Sequence, residues 1–308
     1  MNFRQLKYFV RIVELGGMTR AAQTLFVAQP ALSQQIAHLE AELGVRLLDR
    51  NVHGVMPTAE GEVLYRHART ILRQIDNTRA LLMQTDEDVT GKVSIGMPSS
   101  TGRVLALPLF QRVRDAYPGI VLEIVDVPSA DLTGLAAQGR VDMSITPDQL
   151  PKRGLQVLPV LLEEIYVILH PGVSVSADPV PLAELARIPL ILPSLPNTLR
   201  TRVEHVFQQA RLEYQLAGEA STSAILIPAV KAGMAATLLP WSAVNEDVRA
   251  GTLRVVRLPP PTFFRQLSIC TSSSLPFTQA AQKVKDICLA LCRELVSSGQ
   301  WVGSRMVE

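Results

Sequence analysis

The sequence is poor in cysteine, in net charge and in long apolar runs, and each shortage excludes a class of protein. Three cysteines cannot form a full set of disulfides, which excludes a disulfide-stapled secreted scaffold. A formal net charge of only +2 excludes a protein that holds nucleic acid by overall charge. No run approaches the ~20 apolar residues of a membrane helix, and the first residues lack the apolar core of a signal peptide. We expect a cytoplasmic protein with reduced cysteines and no membrane partner.

Catalytic motifs are missing as well. The sequence contains no glycine-rich phosphate loop, no HExxH motif and no cysteine pair with zinc spacing. Cys288 and Cys292 lie four residues apart on a predicted helix, but no other ligand is close in sequence, so packing is favoured over metal binding. The five histidines are scattered along the chain. We expect no cofactor, no metal and no enzymatic activity.

The most informative segment spans residues 19–40 and predicts two helices packed across a tight turn. The first helix is predicted to begin at Thr19 as its cap and to bury Ala21, Ala22 and Leu25. Pro30 opens the second helix, where its missing N–H is harmless. The buried stripe of that helix is Leu32, Ile36, Leu39 and Leu43. On periodicity alone, an ordinary helical hairpin explains the segment equally well.

The flanking residues favour a DNA-binding domain over that simple hairpin. A first amphipathic helix carries Leu6, Phe9, Val10 and Val13. After Gly44 ends the second helix, residues 45–48 and 55–56 predict two short strands around a turn at residues 51–54, which together form a small wing.

This order of elements resembles the winged helix-turn-helix of the LysR-type transcriptional regulators. The matching strings include residues 6–10 (LKYFV), 19–22 (TRAA), 28–36 (AQPALSQQI) and 57–61 (PTAEG). Within that family, residues 65–74 (YRHARTILRQ) and 93–96 (VSIG) are most similar to the nitrogen-assimilation-control branch. The resemblance implies double-stranded promoter DNA as a partner and leaves RNA polymerase open as a further one.

The DNA contacts are predicted on the opening turns of the second helix. Its exposed face is uncharged and carries short hydrogen-bonding groups, which suits base edges better than phosphates. The residues predicted to read bases are Gln29, Pro30, Ala31, Ser33 and Gln34. Thr19, Arg50 and Thr58 are predicted to contact phosphates, and His53 at the wing tip is predicted to enter the minor groove.

A long helix capped by Thr58 follows the wing and predicts oligomerisation. Apolar residues alternate at spacings of four and three, which is the pattern of a narrow seam for one partner helix. The predicted dimerisation residues are Leu64, Ala68, Ile71, Ile75 and Leu82, and the weaker Thr78 and Thr85 complete the seam. Packing of this helix on the rest of its own chain is the alternative. Residues 86–91 predict a hinge, and we expect a homodimer or homotetramer.

From residue 92 onward, strands alternate with helices and predict a mostly parallel sheet. The pattern indicates two small α/β lobes, which resemble the periplasmic-binding-protein-like effector domain of the same family. The predicted domains are a winged helix-turn-helix over 1–58, a linker helix and hinge over 59–90, and an effector-binding domain over 91–308. Lobe I comprises residues 91–161 and 266–308, and lobe II comprises residues 162–265.

Hydroxyl-rich loops fall where the predicted strands end and the helices begin, and these loops predict an effector site. Helix N-termini present unpaired N–H groups, which suit an anion. The predicted effector-binding residues are Ser99, Ser100, Thr101, Pro128, Ser129, Pro147, Ser194, Asn197, Thr198 and Thr222. Arg200 and Arg202 are expected at the solvated surface. An aromatic carboxylate or a sulfonate is the expected ligand, a preference that comes from the family resemblance.

The sequence thus predicts a DNA-binding transcriptional regulator whose promoter binding a small anionic effector modulates. An effector-independent regulator of the same family is one alternative. A small-molecule binding module that uses its N-terminal helices for protein association is another.

Overall fold

A computed structural model describes residues 1–51, 54–82, 89–259 and 263–307. The chain divides into two compact units, Met1–Met83 and Gln84–Glu308, and each is described by itself. His53 and Thr85, with residues 86–88 of the predicted hinge, lie outside the described residues.

The first unit is a three-helix core with a two-stranded wing and a long closing helix. Its elements are α1 (Phe3–Leu15), α2 (Met18–Leu25), α3 (Gln29–Leu43), β1 (Leu48–Asn51), β2 (Gly54–Pro57) and α4 (Ala59–Leu82). Strands β1 and β2 pair antiparallel. The core contains Phe9, Ile12, Ala21, Ala22, Leu32, Ile36 and Leu39, all at most 3% exposed. The two alanines are buried in the core that α2 and α3 share, as the sequence predicts.

Three details of this unit differ from the sequence prediction. Helix α2 begins at Met18 after Gly17, so Thr19 lies inside the first turn and is not the cap. Residues 45–47 are outside the first strand, which begins at Leu48. Glu40 accepts hydrogen bonds from the backbone N–H groups of Leu47 (2.7 Å) and Leu48 (3.2 Å), where the strand starts. Leu43, at the end of α3, is exposed.

The wing and α4 are joined tightly. The Thr58 hydroxyl accepts a hydrogen bond from the Gly61 N–H at 3.0 Å, which confirms Thr58 as the helix cap. Gly61 packs directly on the backbone of Leu47, and a Cβ at this position would overlap the Leu47 carbonyl oxygen. Only glycine therefore permits this approach between α4 and the base of the wing.

One face of α4 packs on α1 of the same chain. Ala68 is fully buried against Leu6 and Val10, with Leu64 half-buried beside them. Ala68 thus belongs to the core of its own unit and has no surface left to offer a partner helix, which corrects its predicted place in the seam. Ile71 is 40% exposed and Leu82 is 83% exposed, so the outer part of the seam remains accessible in this chain.

The second unit has two lobes built on a mixed sheet. Its strands are β3 (Gly91–Met97), β4 (Ile120–Asp126), β5 (Met143–Pro147), β6 (Leu155–Leu169), β7 (Leu190–Pro193), β8 (Leu216–Ala220), β9 (Thr237–Pro240), β10 (Arg254–Arg257), β11 (Phe264–Ser272) and β12 (Ser304–Met306). Its helices are α5 (Ser99–Ala116), α6 (Ser129–Ala137), α7 (Leu182–Leu185), α8 (Thr198–Gln209), α9 (Ser223–Lys231), α10 (Asn245–Arg249) and α11 (Gln279–Ser297), with a short 3₁₀ helix at Trp241–Ala243.

The prediction of a mostly parallel sheet is wrong. The strand order is β10-β6-β11-β5-β3-β4, with β9 and β12 also paired to β6. Only β3 pairs in parallel in this sheet, with β4 and β5, while β6 and β11 pair antiparallel with all their neighbours. For β6 the sequence pattern predicts a strand at residues 166–169 only, because residues 155–165 do not alternate regularly between polar and apolar.

Strands β6 and β11 connect the two lobes. The first half of β6 pairs with β11 at the lobe I core, which holds Val93, Ile95, Leu105 and Cys288. The second half pairs with β9 and β10 in lobe II. Residues from both lobes therefore meet where these two strands pass from one lobe to the other.

Candidate DNA-binding surface and effector pocket

The opening turns of α3 form the candidate DNA-reading surface. Gln29, Pro30, Ala31 and Gln34 are exposed, while Leu32 and Ile36 on the opposite face are fully buried. The Arg50 guanidinium donates a hydrogen bond from Nη1 to Ser33 Oγ at 3.1 Å, which ties the first wing strand to this helix. The four exposed residues and Ser33 therefore sit together on one uncharged surface with a cation at its edge.

Thr19 and Thr58, two of the residues predicted to contact phosphates, differ in whether their hydroxyl groups are available. Thr19 is exposed in the first turn of α2. The Thr58 hydroxyl instead donates to the Arg46 carbonyl oxygen at 2.7 Å, while it accepts from Gly61. A hydroxyl has one proton to donate, so the phosphate contact predicted for Thr58 would require this internal bond to break. His53 lies outside the described residues.

The candidate effector pocket opens between the two lobes of the second unit. It lies at the ends of β3, β4 and β5 in lobe I and of β7, β8 and β9 in lobe II, and its cavity volume is about 50 Å³. Its lining is rich in hydroxyl groups and prolines. The lining residues are Pro98, Ser99, Ser100, Val127, Pro128, Ser129, Pro147, Pro193, Asn197, Thr198, Leu199, Ser221, Thr222, Ser223, Leu226, Leu239 and Arg265.

Most of the residues predicted to bind an effector line this pocket, and two do not. Ser99, Ser100, Pro128, Ser129, Pro147, Asn197, Thr198 and Thr222 are all in its wall. Thr101 is fully buried behind the wall, and its hydroxyl has no hydrogen-bond partner among the described residues. Ser194 also lies outside the lining, and its backbone N–H donates to the Ala220 carbonyl oxygen at 3.1 Å.

Four helices begin at the pocket wall. The N-termini of α5, α6 and α9 carry no side-chain cap, so their first backbone N–H groups have no capping oxygen. Helix α8 differs, because Asn197 Oδ1 accepts from the N–H groups of Leu199 (3.0 Å) and Arg200 (3.2 Å). Three helix ends can thus present N–H donors and positive partial charge to an anion.

The sequence prediction missed the charged residue of the pocket. Arg265, on β11, is only 6% exposed and lines the wall. Its Nε and Nη2 both lie 2.7 Å from Oε2 of the fully buried Glu163, and Nη2 also donates to Ser100 Oγ at 3.0 Å. Arg265 and Glu163 are 102 positions apart, and no local spacing pattern marks either of them as a member of a pair.

The surface position expected for Arg200 is wrong, whereas Arg202 is exposed as expected. Arg200 is buried and forms ion pairs with Glu204 and Glu219 at 2.7 and 2.5 Å. These hydrogen bonds raise the pKa of Arg200 against the opposing effect of its burial. Arg202 of lobe II pairs with Asp148 of lobe I at 2.7 Å, so it joins the two lobes.

Two negative findings apply to the described parts of the chain. No helix there is long and apolar enough to cross a membrane. No group of three or more histidine, cysteine, aspartate or glutamate side chains is placed to hold a metal ion in those parts.

Comparison with known families decides which regulator this fold represents. The pattern of the bacterial regulatory helix-turn-helix protein, lysR family, matches residues 3–62. The pattern of the LysR substrate binding domain matches residues 86–293, which is more than half of the chain. The chain belongs to the LysR family. It is therefore a DNA-binding transcriptional regulator with an effector-binding domain, and not an enzyme.

Individual LysR relatives confirm the branch that the sequence resembles. The nitrogen assimilation regulatory protein nac of Klebsiella aerogenes is 36% identical over 295 residues, covering 94% of this chain and 95% of the relative. The nac protein of Escherichia coli K12 is 34% identical, covering 98% and 99%. The structure of CbnR, a LysR family transcriptional regulator, has a TM-score of 0.69 at 23% identity and covers 95% of this chain and 99% of that chain. This last likeness supports the fold alone.

Proposed function

We propose that a small anion bound in the interlobe pocket modulates the promoter binding of this LysR regulator. The observation that carries the proposal is the convergence of hydroxyl groups and three uncapped helix N-termini on one cavity. Hydroxyls and backbone N–H groups donate hydrogen bonds that favour a negative ligand, and the helix dipoles add to that preference. The regulator acts in the cytoplasm under this proposal.

The DNA-reading half of the proposal assigns base contacts to Gln29, Pro30, Ala31, Ser33 and Gln34. The support is their joint position on the opening turns of α3, with the apolar core on the opposite face. A glutamine can bond an adenine edge, and proline or alanine can contact a thymine methyl group. Arg50 and Thr19 then flank this surface as phosphate contacts. The structure of full-length CbnR complexed with its target DNA has a TM-score of 0.68 at 22% identity, and the match covers 96% of this chain and 99% of that chain. This likeness supports the fold alone.

Assembly through α4 completes the proposal. Ile71, Ile75 and Leu82 lie at the spacing of a helix–helix seam, and the exposure of Ile71 and Leu82 leaves apolar surface for a second copy. Two paired half-sites would supply the affinity that the weak charge of one copy does not. A homodimer or homotetramer is the expected state.

An effector-independent regulator is the second candidate, and one observation favours it. The protein's own side chains link the two lobes, through Arg202–Asp148 at 2.7 Å and Arg103–Asp247 at 2.9 Å. Ion pairs of this kind are a means of fixing the DNA-binding form that needs no effector.

One experiment separates the two candidates. The purified full chain is titrated against fragments of its own upstream region at several salt concentrations, with and without a panel of small organic and inorganic anions. Sequence-dependent binding that an anion shifts supports the effector proposal, and binding that no anion changes supports the effector-independent candidate.

A further inference from the structure

Among the residues that the structure describes, Arg265 carries the one charged group in the pocket lining, and its neighbours fix the orientation of its guanidinium. Arg265 stands directly opposite Glu163 in the register of β11 and β6. With Nε and Nη2 both engaged by Glu163, and Nη2 also by Ser100, the plane of the guanidinium cannot rotate freely. Only 6% of the residue is exposed, so solvent screens it weakly.

Glu163 is itself held from two further directions. Its Oε1 accepts a hydrogen bond from Trp301 Nε1 at 2.8 Å and another from the Ser242 hydroxyl. Because both carboxylate oxygens are occupied by donors, Glu163 acts as a fixed support for Arg265 and not as a group that a ligand can displace easily.

The remaining part of this guanidinium is Nη1. Within the described residues Nη1 makes no hydrogen bond, although the residue lines the cavity. A guanidinium offers five N–H donors in a plane, so an oriented arginine with one amino group unused suits a planar or tetrahedral oxyanion. We propose that Arg265 Nη1, together with the Ser100 hydroxyl, directly binds the anionic group of the effector.

The small size of the cavity then favours a compact oxyanion as the effector. A water molecule requires roughly 10–15 Å³ of such volume, and the cavity volume of about 50 Å³ is therefore equivalent to only a few waters. A short carboxylate such as acetate, or a sulfate or phosphate, has a similar number of heavy atoms. Any widening of the cavity for an aromatic acid by separation of the lobes would act against the Arg202–Asp148 and Arg103–Asp247 pairs.

This inference rests on the proposed function and refines it to a ligand class and a contacting residue. Calorimetric titration of the full chain with acetate, sulfate, phosphate and benzoate at constant ionic strength tests it. Removing Arg265 alone would leave Glu163 buried without its cation, which destabilises the fold. The test variant is therefore the neutral pair Glu163→Gln with Arg265→Gln.

A matched control is Arg112→Gln, which breaks an exposed ion pair with Glu294 at 2.9 Å outside the pocket. We expect at least one compact oxyanion to bind the wild-type chain and Arg112→Gln with one site per chain, and the neutral pair to lose binding at least tenfold. Arg265→Lys, which keeps the charge but not the planar donor set, is expected to retain part of the affinity. Circular dichroism checks that each variant is folded.

Three results would overturn the inference, and they separate it from the proposed function. Equal binding by the folded neutral pair removes Arg265 from the site and leaves an anion effector intact. Binding of benzoate but of no compact oxyanion overturns the size limit alone. If no anion binds and none alters DNA binding, the inference and the effector proposal both fail.

Discussion

Gln34 offers the sharpest test of how this regulator reads DNA. It is exposed on the second turn of α3, and its side chain makes no hydrogen bond to any part of the chain that the structure describes. Replacement by alanine should therefore leave the fold and its stability unchanged. A lost base contact costs about 1–3 kcal/mol, which corresponds to a roughly 5–150-fold weaker complex for each half-site. In a dimer that occupies two half-sites, both contacts are lost and the energies add.

Fluorescence anisotropy with the native upstream fragment, combined with selection from a randomised half-site, measures both affinity and preference. Because glutamine is uncharged, Gln34→Ala should leave the salt dependence of binding unchanged, whereas Arg50→Ala should reduce its slope by about one. Gln35→Ala is the matched control, since Gln35 has the same chemistry but is half-buried on a different side of the helix. If Gln34→Ala selects the same sequences as wild type, or if Gln35→Ala relaxes them equally, the assigned reading face is wrong.

Four further variants or measurements test other parts of the structure. Ile71→Asp with Ile75→Asp should give a monomer with little operator affinity, because charge at the seam has no partner, and a dimer by light scattering would contradict the α4 pairing. Thr198→Val should weaken the response to an anion without weakening DNA binding in its absence, while Thr201→Val, one turn further on and outside the lining, should not. Glu40→Ala should lower the free energy of unfolding, measured by urea titration, by about 1.5–3 kcal/mol, since the Leu47 and Leu48 N–H groups lose a charged acceptor. An unchanged urea midpoint would show that these two hydrogen bonds do not stabilise the fold. Burial raises the pKa of Cys270 to about 11, so at pH 8 roughly one thiol in a thousand is ionised. A thiol reagent should therefore label Cys270 only after denaturation, and rapid labelling of the native chain would contradict its burial.

Local sequence patterns predict those helices whose start, end and buried face are determined by residues close together in the sequence. The period of Leu32, Ile36 and Leu39, with Pro30 at the start and Gly44 at the end, is sufficient to find α3. The start of α2 was missed because Gly17 provides no side-chain cap, whereas the nearby Thr19 matched the expected chemistry of one. On α5, Leu105 and Leu109 take the core positions, whereas Leu107 and Phe110 on the same helix are exposed.

The candidate pocket shows the same limit. Hydroxyls next to strand ends could be predicted, because parallel strands and their helices repeat a simple geometry. The Arg265–Glu163 pair could not, since it joins two antiparallel strands far apart in sequence, and a single arginine in an alternating strand more often faces solvent. Thr101 was misplaced for a related reason, because one helical position separates a residue in the wall from one behind it.

The close approach of Gly61 to Leu47 has a consequence for building chimaeric regulators. The wing, α1 and α4 share one continuous packing, through Gly61 and Thr58 at one end and Ala68 against Leu6 and Val10 further along. A graft of residues 1–58 onto another regulator would place foreign side chains against the Leu47 carbonyl and the α1 surface. A graft that ends after Leu82 transfers the whole unit with its own supporting helix. Promoter specificity should therefore move between family members only with that longer exchange.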